Sequence, residues 1–283
     1  MLSIWKDIAV LLQPTPEGER LGDRAATIAQ AHKSHLVGVY GVVPHSHEHS
    51  SHEFAIGSEA IAEVITRQRQ ADEQTALAVA RHFGELSRRY GITSEFRIVW
   101  SGGVGSDWTM RGLHCDLIVV AHPKPERFAD AWSAERLVLE SGVPVLAIPS
   151  EWHGESIGRN VIVAWNGSRE ARRAIADSMP VLSTADRVTV LVIDPERTPE
   201  RFGAQPGADL VKSLIKHDVR AELAVVQSNG TPVGSVIQAE VQALQADLLV
   251  IGAYSRPRAA EVLFGGTTRT LLADTSIPFL MSR

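Results

Sequence analysis

The chain has a single cysteine, Cys115, among its 283 residues. One cysteine excludes an internal disulfide and suits a reducing compartment. Cys115 adjoins the apolar run Leu117 to Val120 and reads as a small residue at a core edge rather than a reactive thiol. An excess of one charge is also missing. The net charge of −5 gives no reason to expect nucleic acid or an anionic membrane as partner. No apolar run approaches the ~20 residues needed to span a bilayer. The segment Met1 to Asp7 has no basic stretch followed by a long apolar one, so a secretory leader is not expected and the chain is expected to be cytoplasmic. A lysine-bearing phosphate loop of the Gly-Lys-Ser/Thr type is absent. Asp and Glu are spread along predicted helix faces, and no catalytic residue is assigned.

What the chain does contain is a repeat. Asp116-Leu-Ile-Val-Val-Ala121 is answered by Asp247-Leu-Leu-Val-Ile-Gly252, and Gly142-Val-Pro-Val-Leu-Ala147 by Ser276-Ile-Pro-Phe-Leu-Met281. Asp7-Ile-Ala-Val-Leu-Leu-Gln13 is answered by Asn160-Val-Ile-Val-Ala-Trp-Asn166. Apolar segments in the same order and in matching contexts indicate a duplicated unit. An apolar content of 44% and a charged content of 22% fit two globular domains of ordinary size.

Strands are expected at Ile8–Leu12, Leu36–Val43, Thr93–Trp100, Leu117–Ala121 and Val143–Ile148 in the first half. Their counterparts are Val161–Trp165, Arg187–Ile193, Val219–Val226, Leu248–Gly252 and Ile277–Met281. Most are continuous apolar runs, as in strands covered on both faces, and helical spacing lies between them. The pattern predicts an α/β chain of two tandem open α/β domains, each with a five-stranded, mostly parallel sheet flanked by helices. The expected divisions are residues 1–150, a polar linker at 151–158, and residues 159–283. The first half is longer between its first and fourth strands. The excess falls around Pro44 to Thr75, a histidine-rich stretch followed by an extended helical pattern.

In open α/β sheets, ligands sit beyond the carboxyl ends of the strands, where strand order reverses. After the fourth strand of the second half, Gly265 and Gly266 precede Thr267-Thr-Arg-Thr-Leu-Leu272, which reads as a helix start with a threonine cap. Glycines there expose backbone N–H groups and let a phosphate approach a helix N-terminus, and Arg256 and Arg258 add positive charge. The same residues also describe a glycine-rich turn without a ligand, and spacing alone does not choose between the two.

This block, together with Val163-Ala-Trp-Asn-Gly-Ser168 after the first strand, resembles the universal stress protein family in its tandem-domain form. Nucleotide-binding members of that family carry Gly-x2-Gly-x9-Gly-Ser/Thr after strand four and an aspartate at the end of strand one. The resemblance implies a parallel α/β domain of the adenine-nucleotide-hydrolase-like kind. It also implies a role in stress adaptation, with ATP bound rather than turned over. By that resemblance the nucleotide-contacting positions are Asn166, Gly252, Ser255, Gly265, Gly266 and Thr267. The match is imperfect. Ser255 stands for the second glycine, Gly266 for the Ser/Thr, and Thr267 comes one position late. Asn166 replaces the aspartate and keeps hydrogen-bonding capacity without charge. In the first half, Ala131 and Trp132 replace the two glycines, Glu135 falls in the following helix, and Gln13 takes the strand-one position. A tryptophan in the cradle and a carboxylate in the helix's first turn both oppose a polyphosphate, so the first half is expected not to bind ATP in the family manner.

Two further segments carry candidate chemistry. His45, His47, His49 and His52 alternate in an extended stretch, yet nothing around them predicts the rigidity a metal site needs, so no metal is assigned. Ser101-Gly-Gly-Val-Gly-Ser106 resembles the phosphate turn of ATP pyrophosphatases. It follows the third strand rather than the first, and a loop opening the next helix is the preferred reading, as for Ser228–Ser235 in the second half. Trp100, Trp108 and Trp132 are expected to be buried against the other half. The leading expectation is a non-catalytic stress-response protein binding ATP or another adenine nucleotide in its second half, as a homodimer or as a pseudo-twofold pairing of the two halves. The alternatives are an interaction module with both pockets vestigial, and a slow ATPase using Ser101–Ser106.

Overall fold

The ten expected apolar runs all form strands, and they join into a single sheet. The computed structural model describes residues 4–42, 58–100, 114–125, 132–197, 205–253, 271 and 275–283. The first half contributes β1 (Asp7–Leu12), β2 (His35–Val42), β3 (Ser94–Trp100), β4 (Leu117–His122) and β5 (Val145–Pro149). The second contributes β6 (Asn160–Ala164), β7 (Arg187–Ile193), β8 (Ala221–Val226), β9 (Leu248–Gly252) and β10 (Phe279–Ser282). The described helices are α1 (Pro16–His32), α2 (Ser58–Tyr90), α3 (Ala134–Glu140), α4 (Arg169–Leu182), α5 (Ala208–Ile215) and α6 (Val233–Ala243).

Strand order is β3-β2-β1-β4-β5-β10-β9-β6-β7-β8, which reads the same from either end once each strand is replaced by its counterpart. Neighbours pair in parallel throughout, except at β5 and β10, which are antiparallel. That junction aligns Phe279 with Ala147, Leu280 with Leu146 and Met281 with Val145. Leu146 and Leu280 are equivalent positions of the repeat, so a pseudo-twofold axis passes between them. The flanking pairs set a large side chain against a small one, which fills the junction without overlap.

Alternate residues of the strands feed two apolar layers. On one face Val10, Val119, Val163 and Val250 pack with α1, α2, α4 and α5 residues such as Ala25, Phe83, Ile175 and Leu214. On the other, Leu11, Val120, Ile162 and Ile251 pack with Leu137 and Val138 of α3 and Ile237 and Val241 of α6. Both layers run through both halves.

The strands expected from Val143 and Ile277 begin two residues later, at Val145 and Phe279. Pro144 and Pro278 intervene, and proline has no N–H to give a sheet. Each proline carbonyl still accepts from the neighbouring strand, from Ile118 N at 3.0 Å and from Leu249 N at 3.0 Å. The aspartates that opened the repeat also have matching roles. Asp116 Oδ2 accepts from the backbone N–H of Lys6 and Asp7. Asp247 accepts from Gly158, Arg159 and Asn160 and from the Ser156 hydroxyl. In both halves a carboxylate at the foot of the fourth strand thus ties down the start of the first.

The segment between the halves lies along α1. Arg20 donates to Ser150 O, Arg24 to Glu155 O, and the Arg24 guanidinium sits 5.0 Å from the centre of the Trp152 ring. Trp5 Nε1 reaches across to Asp177 O in α4. The helical pattern that follows the histidine-rich stretch forms α2, a helix of 33 residues.

Candidate functional site

Strand order reverses between β6 and β9, so the crest where β6 ends and α4 begins is the place to look for a ligand. β6 stops at Ala164, opposite Ile251. Gly167 then turns the chain with φ of 69°, and Ser168 caps α4 by accepting from Ala171 N. Thr15 caps α1 in the same way, by accepting from Gly18 N.

Two of the six expected site residues meet this helix start. Asn166 is exposed, and its Oδ1 accepts from Ser168 N at 3.1 Å. That bond closes an Asx-type turn and commits the acceptor oxygen to the chain itself. Gly252 ends β9 against the first turn of α4. A Cβ there would lie 2.3 Å from Ala171 N and 2.5 Å from the Glu170 carbonyl carbon. The glycine is therefore a packing requirement before it is anything else. Ser255, Gly265, Gly266 and Thr267 lie outside the described residues, as do Arg256 and Arg258.

Glu170, which the sequence reading passed over, stands in the first turn of α4 with only 5% of its surface exposed. Burial pushes its pKa up, but the Arg169 guanidinium, 2.6 Å away, and the capping backbone outweigh that and hold it below its ordinary value. A buried carboxylate at the positive end of α4 already balances that end electrostatically. A phosphate therefore gains little there. The signal was in the sequence, an acidic residue two places after a serine cap.

A second pair sits at the carboxyl ends of β7 and β8. Asp194, buried and with φ of 47°, accepts from Ser228 N at 2.6 Å and Ser228 Oγ at 2.5 Å, and Arg197 pairs with it at 3.2 Å. The Ser228 hydroxyl and N–H hold its pKa below the ordinary value against the opposing effect of burial, with help from Arg197. A folded pKa below the unfolded one adds stability that is complete above the unfolded value and disappears as pH falls through the folded one. Asp194→Asn is expected to flatten the acid limb of a stability-versus-pH curve below about pH 4. An unchanged limb, measured by urea unfolding across that range, would contradict this role. The loop from Ser228 does lead into α6, as expected, but Pro232 occupies the cap position and no side chain caps the helix.

In the first half, Trp132 directly precedes Ser133, the cap of α3, and Glu135 falls in that helix's first turn. Trp132 is buried, and a Cβ on Gly41 would meet its ring at 2.3 Å. The indole thus closes over the carboxyl end of β2, in its own half. This corrects the expectation that it packs against the other half, and the physical reason is that Gly41 leaves the flat space the ring fills. Gln13, at the strand-one position, is 9% exposed, and its Nε2 has no hydrogen-bond partner among the described residues.

Of the remaining candidates, His45, His47, His49 and His52, Ser101–Ser106, Trp108 and Ala131 lie outside the described residues. Among the described residues no group of His, Cys, Asp and Glu is arranged to hold a metal, and no helix is long and apolar enough to cross a membrane. Burial and the neighbouring Asp116 and Asp7 push the Cys115 thiol up to about 12, which keeps it protonated and inert. Gly154-Glu-Ser156-Ile-Gly158 has the spacing of a hydrolase nucleophile turn. It precedes a strand instead of joining a strand to a helix, and the Ser156 hydroxyl donates to Asp247 at 2.8 Å, so it serves structure.

The fold is a doubly wound α/β unit, duplicated and joined edge to edge. Residues 158–283 match the model of the universal stress protein family. Over its whole length the chain is similar to a universal stress protein from Archaeoglobus fulgidus DSM 4304, with a TM-score of 0.69 at 13% identity, covering 98% of each chain. It is also similar to a functionally unknown protein from Pseudomonas aeruginosa PAO1 (TM-score 0.60, 18% identity, 98% of this chain and 92% of the other). A third likeness is to a universal stress protein from P. aeruginosa UCBPP-PA14 (TM-score 0.60, 19% identity, 98% and 93% covered). At these identities the likeness concerns the fold. Half-length matches include a universal stress protein in complex with cAMP and one from A. fulgidus in complex with dAMP, at TM-scores of 0.36 and 0.31. No curated relative matches the sequence.

Proposed function

We propose that this chain is a non-catalytic stress-response protein that binds ATP or a related adenine nucleotide in its second half only. The observation that carries the reading is the family match over residues 158–283, which spans the crest where Gly252 meets α4. The division into residues 1–150, 151–158 and 159–283 belongs to the same proposal, with the cytoplasm as its compartment. Trp132, buried over Gly41, supports a first half that takes no nucleotide in this manner. Because Glu170 balances the start of α4, the phosphates in this reading run over the Gly265–Thr267 segment. Asn166, at the strand-one position of this half, contributes its amide to the adenine edge in this reading.

Mass spectrometry of small molecules released from freshly purified protein tests this directly. The expected result is an adenine nucleotide at no more than one per chain. Gly265→Glu is expected to weaken ATP binding at least a hundredfold by calorimetry, since it sets a carboxylate against phosphates, whereas Ala131→Glu leaves it unchanged. No released nucleotide, and no binding of added ATP, would favour the second reading, an interaction module with both pockets vestigial. The committed oxygen of Asn166 and the buried charge of Glu170 favour that alternative. Self-association in either reading would use surfaces other than β5 and β10, because those two edges already pair with each other.

A further inference from the structure

The first half has a cavity of about 170 Å³ between α1 and α2, beneath the end of β1. Its floor is apolar, formed by Leu12, Val79, Phe83 and Leu86. The three α2 residues are spaced at i, i+4 and i+7, so one stripe of that helix lines the space. Gln13 and His82 share the wall, and Nε2 of each is buried with no hydrogen-bond partner among the described residues. Orphaned buried nitrogens are uncommon, and each costs a folded protein the lost solvation of a polar group. Here two belong to residues that line one space.

Gly22 strengthens the case. It lies in the interior of α1 and lines the cavity, where a glycine weakens the helix. No clash demands it, because a Cβ would find only ordinary contacts, 3.4 Å from Leu12 Cδ2 and 4.0 Å from Leu86 Cδ1. Gly18 is different, since a Cβ there would lie 2.4 Å from Gln13 O and bar the strand end from the helix. What Gly22 preserves is the empty volume.

We infer that this cavity is a binding site for a small uncharged molecule of aromatic-ring size that accepts a hydrogen bond from Gln13 Nε2 and pairs with His82 Nε2. An apolar cavity of ~150 Å³ takes a benzene-sized molecule, so the volume sets the class. The Gln13 amide nitrogen only donates, so the ligand carries a carbonyl, hydroxyl or ring-nitrogen acceptor. His82 Nε2 donates or accepts according to its tautomer. Glu19, which is exposed, is the one carboxylate among the lining residues, and a carboxylate disfavours anions. The site therefore suits no phosphate, which separates it from the nucleotide reading of the second half. Neither nitrogen contacts solvent, so engagement requires the amide and the ring to turn into the adjoining space.

Benzamide is the probe, with benzoate as its charged counterpart. Titrated into the full-length protein and followed by NMR, benzamide is expected to bind saturably and to move the Gln13 side-chain amide resonances. Benzoate should bind at least tenfold more weakly. Gln13→Leu, of similar size, is expected to weaken benzamide about tenfold while raising the melting temperature of the ligand-free protein, because it removes an orphan. Gly22→Leu fills the cavity and is expected to abolish binding. Absence of saturable benzamide binding overturns the inference. So does binding that is unaffected by both substitutions, or a benzamide-soaked crystal with only water in the cavity.

Discussion

Replacing Gly252 by alanine is expected to lower the free energy of unfolding by about 3 kcal/mol, an overpacking cost at the upper end of the usual range. The reason lies in what the added carbon meets. Ala171 N and the Glu170 carbonyl carbon, 2.3 and 2.5 Å away, belong to the backbone of a capped helix turn and cannot step aside as a side chain would. Relief requires α4 to move off the end of β9, and α4 also packs against the strands at the centre of the second half. Urea unfolding followed by far-UV circular dichroism gives the measurement. Unchanged stability, with ATP binding alone impaired, would show that the glycine serves only a ligand.

Asp247→Ala should cost about as much, near 3 kcal/mol, since hydrogen bonds to a charged group are worth ~1.5–3 kcal/mol each and only partly replaced by water at a half-buried site. Three backbone N–H groups and the Ser156 hydroxyl lose their acceptor together, at the point where the chain enters β6. Asp116→Ala provides the internal comparison. Its carboxylate is exposed and serves only Lys6 and Asp7, so a loss of about 1 kcal/mol is expected. Asp247→Asn should fall between, because an amide oxygen still accepts while its NH2 faces donors. Equal losses at Asp247 and Asp116, from the same urea titrations, would show that the local bonds do not set the cost.

Much of the fold was legible because its signals are local. Continuous apolar runs such as Leu117–Val120 and Leu248–Ile251 are buried on both faces, as a parallel strand between two helical layers must be. The repeated Asp-apolar pattern marked equivalent strands before any contact was known, and Asp116 and Asp247 prove to do equivalent work. Pro144 and Pro278 set strand starts that an apolar count alone places too early. The candidate site was less legible. The glycine pattern pointed to Gly252, but its immediate reason for being glycine is the backbone of Ala171, more than eighty residues earlier in the chain. Trp132 was visible as a bulky residue where a glycine was expected, yet only the fold shows that Gly41 receives its ring.

The amino-acid sequence by itself determined the duplication, the number and type of strands, the burial of the central ones, and the loss of the glycine pair from the first half. These follow from periodicity and from residue-by-residue comparison of two copies. Tertiary structure alone decided two matters. The halves share one sheet through β5 and β10, because an apolar edge strand offers the same backbone bonds to any partner and only the assembled chain shows which one takes them. Gln13 and His82, far apart in sequence, end on the wall of one cavity because α1 and α2 stand apart around Gly22. Each depends on distances between segments that no local pattern encodes.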